Sequence, residues 1–230
     1  MFALISIVFA GIGMLLSATL QAKLSKYSQL PLPGGLSGAE LAANMLQHYG
    51  IQDVRITQVN GQLTDHYNPR DQTVNLSYDV YHGRNVAAAA VAAHECGHAV
   101  QHATAYPMLY LRSRIAPIIS IMAPIQQYFL MFGVAGTVLL DNIYILYAAL
   151  IVFGTICLFS LITLPVEFDA SRRALAWLDE RGIVREEQYD GAKDALFWAA
   201  LTYVAAAMAA LLQFLYLLRF LTNSQRKQQG

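Results

Sequence analysis

Three long stretches without a charged residue, 2–20, 115–140 and 143–164, set the terms on which this chain can fold. A fourth, 195–221, is interrupted only by Gln213 and Arg219. Each is long enough for about one bilayer crossing of roughly 20 residues. In lipid every backbone polar group needs a partner within the segment, so such runs read as helices. The chain is therefore expected to be mainly α, with about four membrane spans at these positions. The run 115–140 carries Pro117, Pro124 and the pair Gln126-Gln127, which predicts a kinked or tilted span. Asp141-Asn142 makes a short break, and Pro165 is expected to end the helix that follows. The balance of residues agrees. Of 230 residues, 56% are hydrophobic and 13% charged, far from an ordinary soluble domain. The 15 basic and 15 acidic residues cancel, and nothing points to a nucleic-acid partner.

Between the first and second runs lies a small α+β portion of roughly 90 residues. Ser37-Gly-Ala-Glu40 has the spacing of a capping box, and Leu41, Met45 and Leu46 follow a helical period up to Tyr49-Gly50. Val54–Val59 alternates as a strand does, Asn60-Gly61 marks a tight turn, and Val74–Tyr78 reads as a second short strand. A strand edge here could pair with an extended peptide. Lys23 and Lys26 follow the first apolar run, and no basic residue precedes it. That pattern favours a retained anchor over a cleaved signal, with the lysines inside the cell. Segments 21–114 and 166–194 then lie on the cytoplasmic side and together hold 12 of the 15 Lys and Arg residues. Tyr144, Tyr147, Trp198 and Tyr216 fit an interfacial belt. Cys96 and Cys157 read as free thiols, not a disulfide.

The chemistry concentrates in Val91-Ala-Ala-His94-Glu95-Cys96-Gly97-His98-Ala-Val-Gln-His102. Asn85 is a suitable N-cap, and the Ala- and Val-rich run from Val86 to Ala93 is a strong helix former. On that helix His94 and His98, four apart, present their imidazoles on one face to one metal ion, for which zinc is the natural choice. Glu95 stands beside them, placed to take a proton from water and pass it to a leaving amine. A third ligand must come from elsewhere. The strongest candidate is Glu167 in Pro165-Val-Glu167-Phe-Asp169-Ala170-Ser171, expected at a helix start by the membrane boundary. A mere N-terminal helix charge is the bland alternative for it. His102 is a rival, but lies about 12 Å along the helix from His94. Asp141, in a Leu-Asp pair, is a second rival and would fall on the opposite membrane face.

These motifs together resemble those of known zinc peptidases. His94-Glu95-x-x-His98 followed much later by Glu167-x-x-Ala170 resembles membrane-embedded gluzincins of the HtpX type. Leu63-Thr-Asp-His-Tyr-Asn-Pro-Arg70, Val91–Gln101 and Val166-Glu-Phe-Asp-Ala-Ser171 look like the YugP-like bacterial zinc metallopeptidases, over nearly the whole chain. The resemblance implies a single peptidase domain over residues 1–230, in a bacterial plasma membrane. It places His94, His98 and Glu167 on Zn2+, makes Glu95 the catalyst, and implies a zincin-like portion and a protein or peptide substrate. HtpX-type chains have Asp four residues after the ligand Glu, where it orients a histidine; this chain has Ser171, and Asp169 is a second candidate for that role. Candidate oxyanion donors are His66, Tyr67, Arg172 and Tyr189, with a loop-bonded role as the alternative for His66. His48 and His82 read as surface residues. A catalytically silent zinc-binding membrane scaffold or regulator is the alternative function, and the intact Glu95 argues against it.

Overall fold

In the computed structural model, residues 2–129 and 143–229 are described, and helix dominates. The elements, in order, are α1 (Phe2–Ser28), α2 (Gly38–His48), β1 (Arg55–Val59), β2 (His66–Asn68), β3 (Thr73–Ser77), α3 (Tyr78–His82), α4 (Val86–Ala103), α5 (Pro107–Tyr128), α6 (Ile143–Glu180) and α7 (Glu187–Gln229). Four of them, α1, α5, α6 and α7, are long and apolar enough to cross a membrane by length and composition. The chain divides into two compact units. One is Leu16–Tyr110 with Pro165–Leu201. The other takes the remaining described residues of the four long helices.

The first unit carries the sheet and is built on strong local signals. Ser37 accepts from the Glu40 amide while the Glu40 carboxylate accepts from the Ser37 amide, so α2 opens on a true capping box. Arg84 donates to Glu40 at 2.9 Å and also to the Gly35 carbonyl. Together these donors hold the Glu40 carboxyl below its ordinary range, the Ser37 backbone amide having the largest effect. Leu41, Ala42, Met45 and Leu46 bury the inner face of α2. The sheet order is β1-β3-β2, with β1–β3 parallel and β2–β3 antiparallel. The middle strand, β3, is buried throughout. Asn85 caps α4 by accepting from the Ala88 amide, and its alanine run is buried against the core formed by Leu41, Met45, Val74 and Leu76. Small side chains on α4 let its neighbours approach closely.

The second unit is an apolar helix cluster. The Phe2 ring meets Phe153 edge-on at 5.6 Å and Tyr216 at 5.7 Å. Gln213, buried, donates to Ser6 at 3.1 Å and accepts from Gln126 at 3.5 Å. The glutamines that interrupt the apolar runs thus find each other across helices.

The structure corrects several expectations. Pro165 does not end its helix: α6 runs on unbroken to Glu180. Proline removes one amide and crowds the carbonyl four residues back, at a cost of about 3 kcal/mol in a helix interior. Burial of Val166, Ala170, Ala174, Trp177 and Leu178 just beyond it favours continuing the helix. The other apolar helices likewise exceed their uncharged runs: α1 extends to Ser28, α5 starts at Pro107 and α7 at Glu187. Tyr78 opens α3 and does not belong to the second strand. A third strand, β2, lies inside the loop read between Gly61 and Val74. Arg181–Glu186 turns the chain from α6 into α7, with Gly182 at φ +62° and Val184 buried in it. The expected span 115–140 lies in part, and Asp141 wholly, outside the described residues.

Candidate metal centre

The centre is built from two helices. α4 carries His94 and His98 one turn apart, with ring centroids 4.8 Å from each other. α6 brings Glu167 to them. Its Oε2 lies 3.2 Å from His94 Nε2 and 3.6 Å from His98 Nε2. One ligating atom from each of the three residues falls within 4.8 Å of the others. Glu167 and His98 are buried and His94 half-buried. Glu167 sits well inside α6, so an N-terminal helix charge does not account for it.

The close approach of the helices depends on Gly97. A Cβ added there would lie 2.6 Å from the Ala170 carbonyl oxygen and 3.2 Å from the Ala170 Cα. No real side chain fits that gap. The small residue inside the histidine motif therefore lets α6 press against α4 and deliver Glu167.

Each histidine is gripped on its far nitrogen. Ser171 Oγ lies 3.1 Å from His94 Nδ1. Gln101 Oε1 lies 3.0 Å from His98 Nδ1. Gln101 is fully buried, and its amide nitrogen donates to the Val166 carbonyl at 2.8 Å and to Asp169 Oδ2 at 2.9 Å. Both donors are committed to acceptors, so the orientation of the amide is set and its oxygen must face His98. That fixes the proton of His98 on Nδ1 and leaves Nε2 with its lone pair toward Glu167. Asp169 is itself held by Arg173 at 2.6 Å and by Arg172. Ser171 thus serves His94, and Asp169 acts on His98 through Gln101. The reading from sequence missed Gln101, although its place three residues after His98 was a signal.

The donor set fits zinc: two imidazole nitrogens and a carboxylate on one side, with Gln101 leaving the facing nitrogen of His98 unprotonated and Ser171 holding the far nitrogen of His94. Among the described residues this is the one group of three or more His, Cys, Asp or Glu side chains with metal-binding geometry.

Glu95 is buried and its Oε2 accepts from the Tyr67 backbone amide at 2.9 Å. Tyr67 is the middle residue of β2, so the edge strand and the histidine motif are joined at this carboxylate. Burial pushes the Glu95 carboxyl up to about 7, against the downward pull of His94. The other sequence candidates separate from the cluster. His102 Nδ1 meets the Tyr67 hydroxyl at 2.7 Å. His66 bonds the Thr64 carbonyl in its own loop at 2.8 Å. Arg172 is on Asp169, and Tyr189 packs against the core. Cys96 points at the Ala42 carbonyl and burial pushes its thiol up. Both cysteines are free.

A family model described as "putative neutral zinc metallopeptidase" matches residues 2–222. The chain is 36% identical, over 98% of its own length and 98% of the relative's, to the "putative membrane protease YugP" of Bacillus subtilis. No solved structure matches.

Proposed function

The chain belongs to the neutral zinc metallopeptidase family, and we propose that it is a membrane zinc endopeptidase cutting peptide bonds of unfolded or membrane proteins. In this reading residues 1–230 work as one peptidase domain with a zincin-like portion. His94, His98 and Glu167 hold Zn2+, and Glu95 is the catalytic base. The observation that carries it is the convergence of three ligating atoms within 4.8 Å beside a buried glutamate.

When bound, zinc polarises the scissile carbonyl and lowers the pKa of the attacking water. Everything else falls to the chain's own side chains. The Tyr67 amide holds one oxygen of Glu95, leaving the other to take the water's proton and return it to the departing amine. A carboxyl poised at about 7 suits that exchange near neutral pH. Ser171 and Gln101 keep the imidazoles oriented, so that little reorganisation is needed during reaction. The edge of the sheet at β2 lies against Glu95, which supports binding of an extended substrate by strand pairing.

The apolar helices α1, α5, α6 and α7 support a multi-pass membrane protein. The excess of Lys and Arg in 21–114 and 166–194 supports a cytoplasmic zinc site in a bacterial plasma membrane. A silent scaffold that merely binds zinc has no use for a buried, strand-held Glu95, which favours the hydrolase. The test is cleavage of a loosely folded protein by zinc-loaded, detergent-purified chain beside Glu95→Gln at equal zinc content. The proposal expects cutting by the first alone. Equal zinc without cutting by either would favour the scaffold.

A further inference from the structure

A groove of about 760 Å³ runs along the N-terminal half of α4. Ala87, Ala88 and Val91 form its floor. Spaced three and four apart, these residues lie on the helical face that continues into His94 and Glu95. Leu24 and Ser28 of α1, one turn apart, line it as well. The other side is the loop that leads into β2, whose Tyr67 holds Glu95. From Ala87 to Glu95 the helix rises about 12 Å, the length of roughly four extended residues. The cluster residues do not line the groove, but Val91, the last α4 residue that does, stands one helical turn before His94 and Glu95.

Its charge is one-sided. Asp65 and Asp79 line it, and no Lys or Arg does. The remaining titratable groups are Tyr78, exposed, and His82, which is bonded to Gln58. Asp65 stands two residues before Tyr67, at the end of the groove nearest the site. It accepts from the Ser77 amide at 2.7 Å and the Ser77 hydroxyl at 3.0 Å, both neutral donors. Burial pushes its carboxyl up, against the downward pull of the Ser77 donors and of the neighbouring His66.

We propose that this groove receives the substrate chain within about four residues of the scissile bond and selects a lysine or arginine side chain there, with Asp65 and Asp79 facing its cation. The proposal rests on the peptidase reading and names the class of peptide that the same site prefers.

The test uses the full-length chain in detergent and fluorescent peptides that differ only in having Lys, Gln or Glu at each of four positions on either side of the cut. Cleavage is read on the zinc-loaded wild type, and binding on zinc-loaded Glu95→Gln. The expected result is that Lys at one position improves cleavage and binding roughly fivefold over Gln, with Glu worse than either. In Asp65→Asn/Asp79→Asn the Lys-to-Gln ratio falls to about one. A general loss of folding would weaken all peptides together and leave the ratio unchanged. Equal binding of all peptides, or a Lys preference that survives the double substitution, overturns the proposal. Lys-selective binding without cleavage by any form would refute the peptidase reading and leave the groove's selectivity standing.

Discussion

Replacing Gln101 by leucine tests how the ring orientations are held. Gln101 is fully buried and makes three hydrogen bonds, to His98 Nδ1 at 3.0 Å, the Val166 carbonyl at 2.8 Å and Asp169 at 2.9 Å. Leucine fills much of the space but accepts nothing from His98. The Nδ1–H is then buried without a partner, at about 1–3 kcal/mol. Asp169 keeps Arg172 and Arg173, and the Val166 carbonyl sits within a helix, so both lose less. The ring also gains freedom to rotate or shift its proton to Nε2, the nitrogen facing Glu167. Loss of such an outer partner typically lowers metal affinity about 10- to 100-fold, or roughly 1.4–2.7 kcal/mol. The assay is zinc competition against a chromogenic chelator, with a thermal melt of the zinc-free chain to read folding separately. Gln101→Leu should bind zinc at least about tenfold more weakly while its zinc-free melt drops by only a few degrees. Gln101→Glu should do no better, because it can accept from His98 but would face Asp169 with a second carboxylate. Zinc affinity within about twofold of wild type in Gln101→Leu would refute the orientation argument.

Other consequences are as direct. Ser171→Ala should weaken zinc binding about tenfold and Ser171→Asp should restore it, because the latter places a stronger acceptor near His94 Nδ1; the same chelator competition reads both. Gly97→Val should destabilise the chain by about 1–3 kcal/mol in denaturant melts and reduce zinc binding, since the new side chain must displace Ala170 and Glu167 moves with it. Ser37→Ala removes one half of the capping box and should cost about 1 kcal/mol without altering zinc affinity. The Glu40 carboxyl is held below its ordinary range in the fold. Its contribution is therefore present above the unfolded value and lost as pH falls through the folded one. Melting temperature should drop on acidification through that window, with a shallower slope in Glu40→Gln. Chelation of zinc should lower the melting temperature in proportion to the logarithm of free metal, as for any ligand that binds the folded state alone.

The parts legible from sequence were those set by neighbours a few residues away. Ser37 with Glu40, Asn85 before an alanine run, and His94 with His98 are all relations within one or two helical turns, and the structure displays each of them. What escaped was set by contacts across the chain. Pro165 reads locally as a stop, yet α6 continues because Val166, Ala170 and Ala174 are buried just beyond it. The three residues of β2 are too few for an alternating pattern, and they take strand form by pairing with β3. Gln101 looks like an ordinary helix residue until Asp169 and Val166 arrive from 65 and more positions away. Glu167 was reached from sequence for its chemistry and its nearness to a membrane boundary, while its position inside a helix was not.

The most direct measurement is zinc per chain in the purified wild type, Glu167→Ala and Asp141→Ala proteins, each folded by its melt. The account predicts about one zinc in wild type and in Asp141→Ala, and loss of the ion from Glu167→Ala under the same dialysis. Full zinc retention in Glu167→Ala would contradict the centre described here.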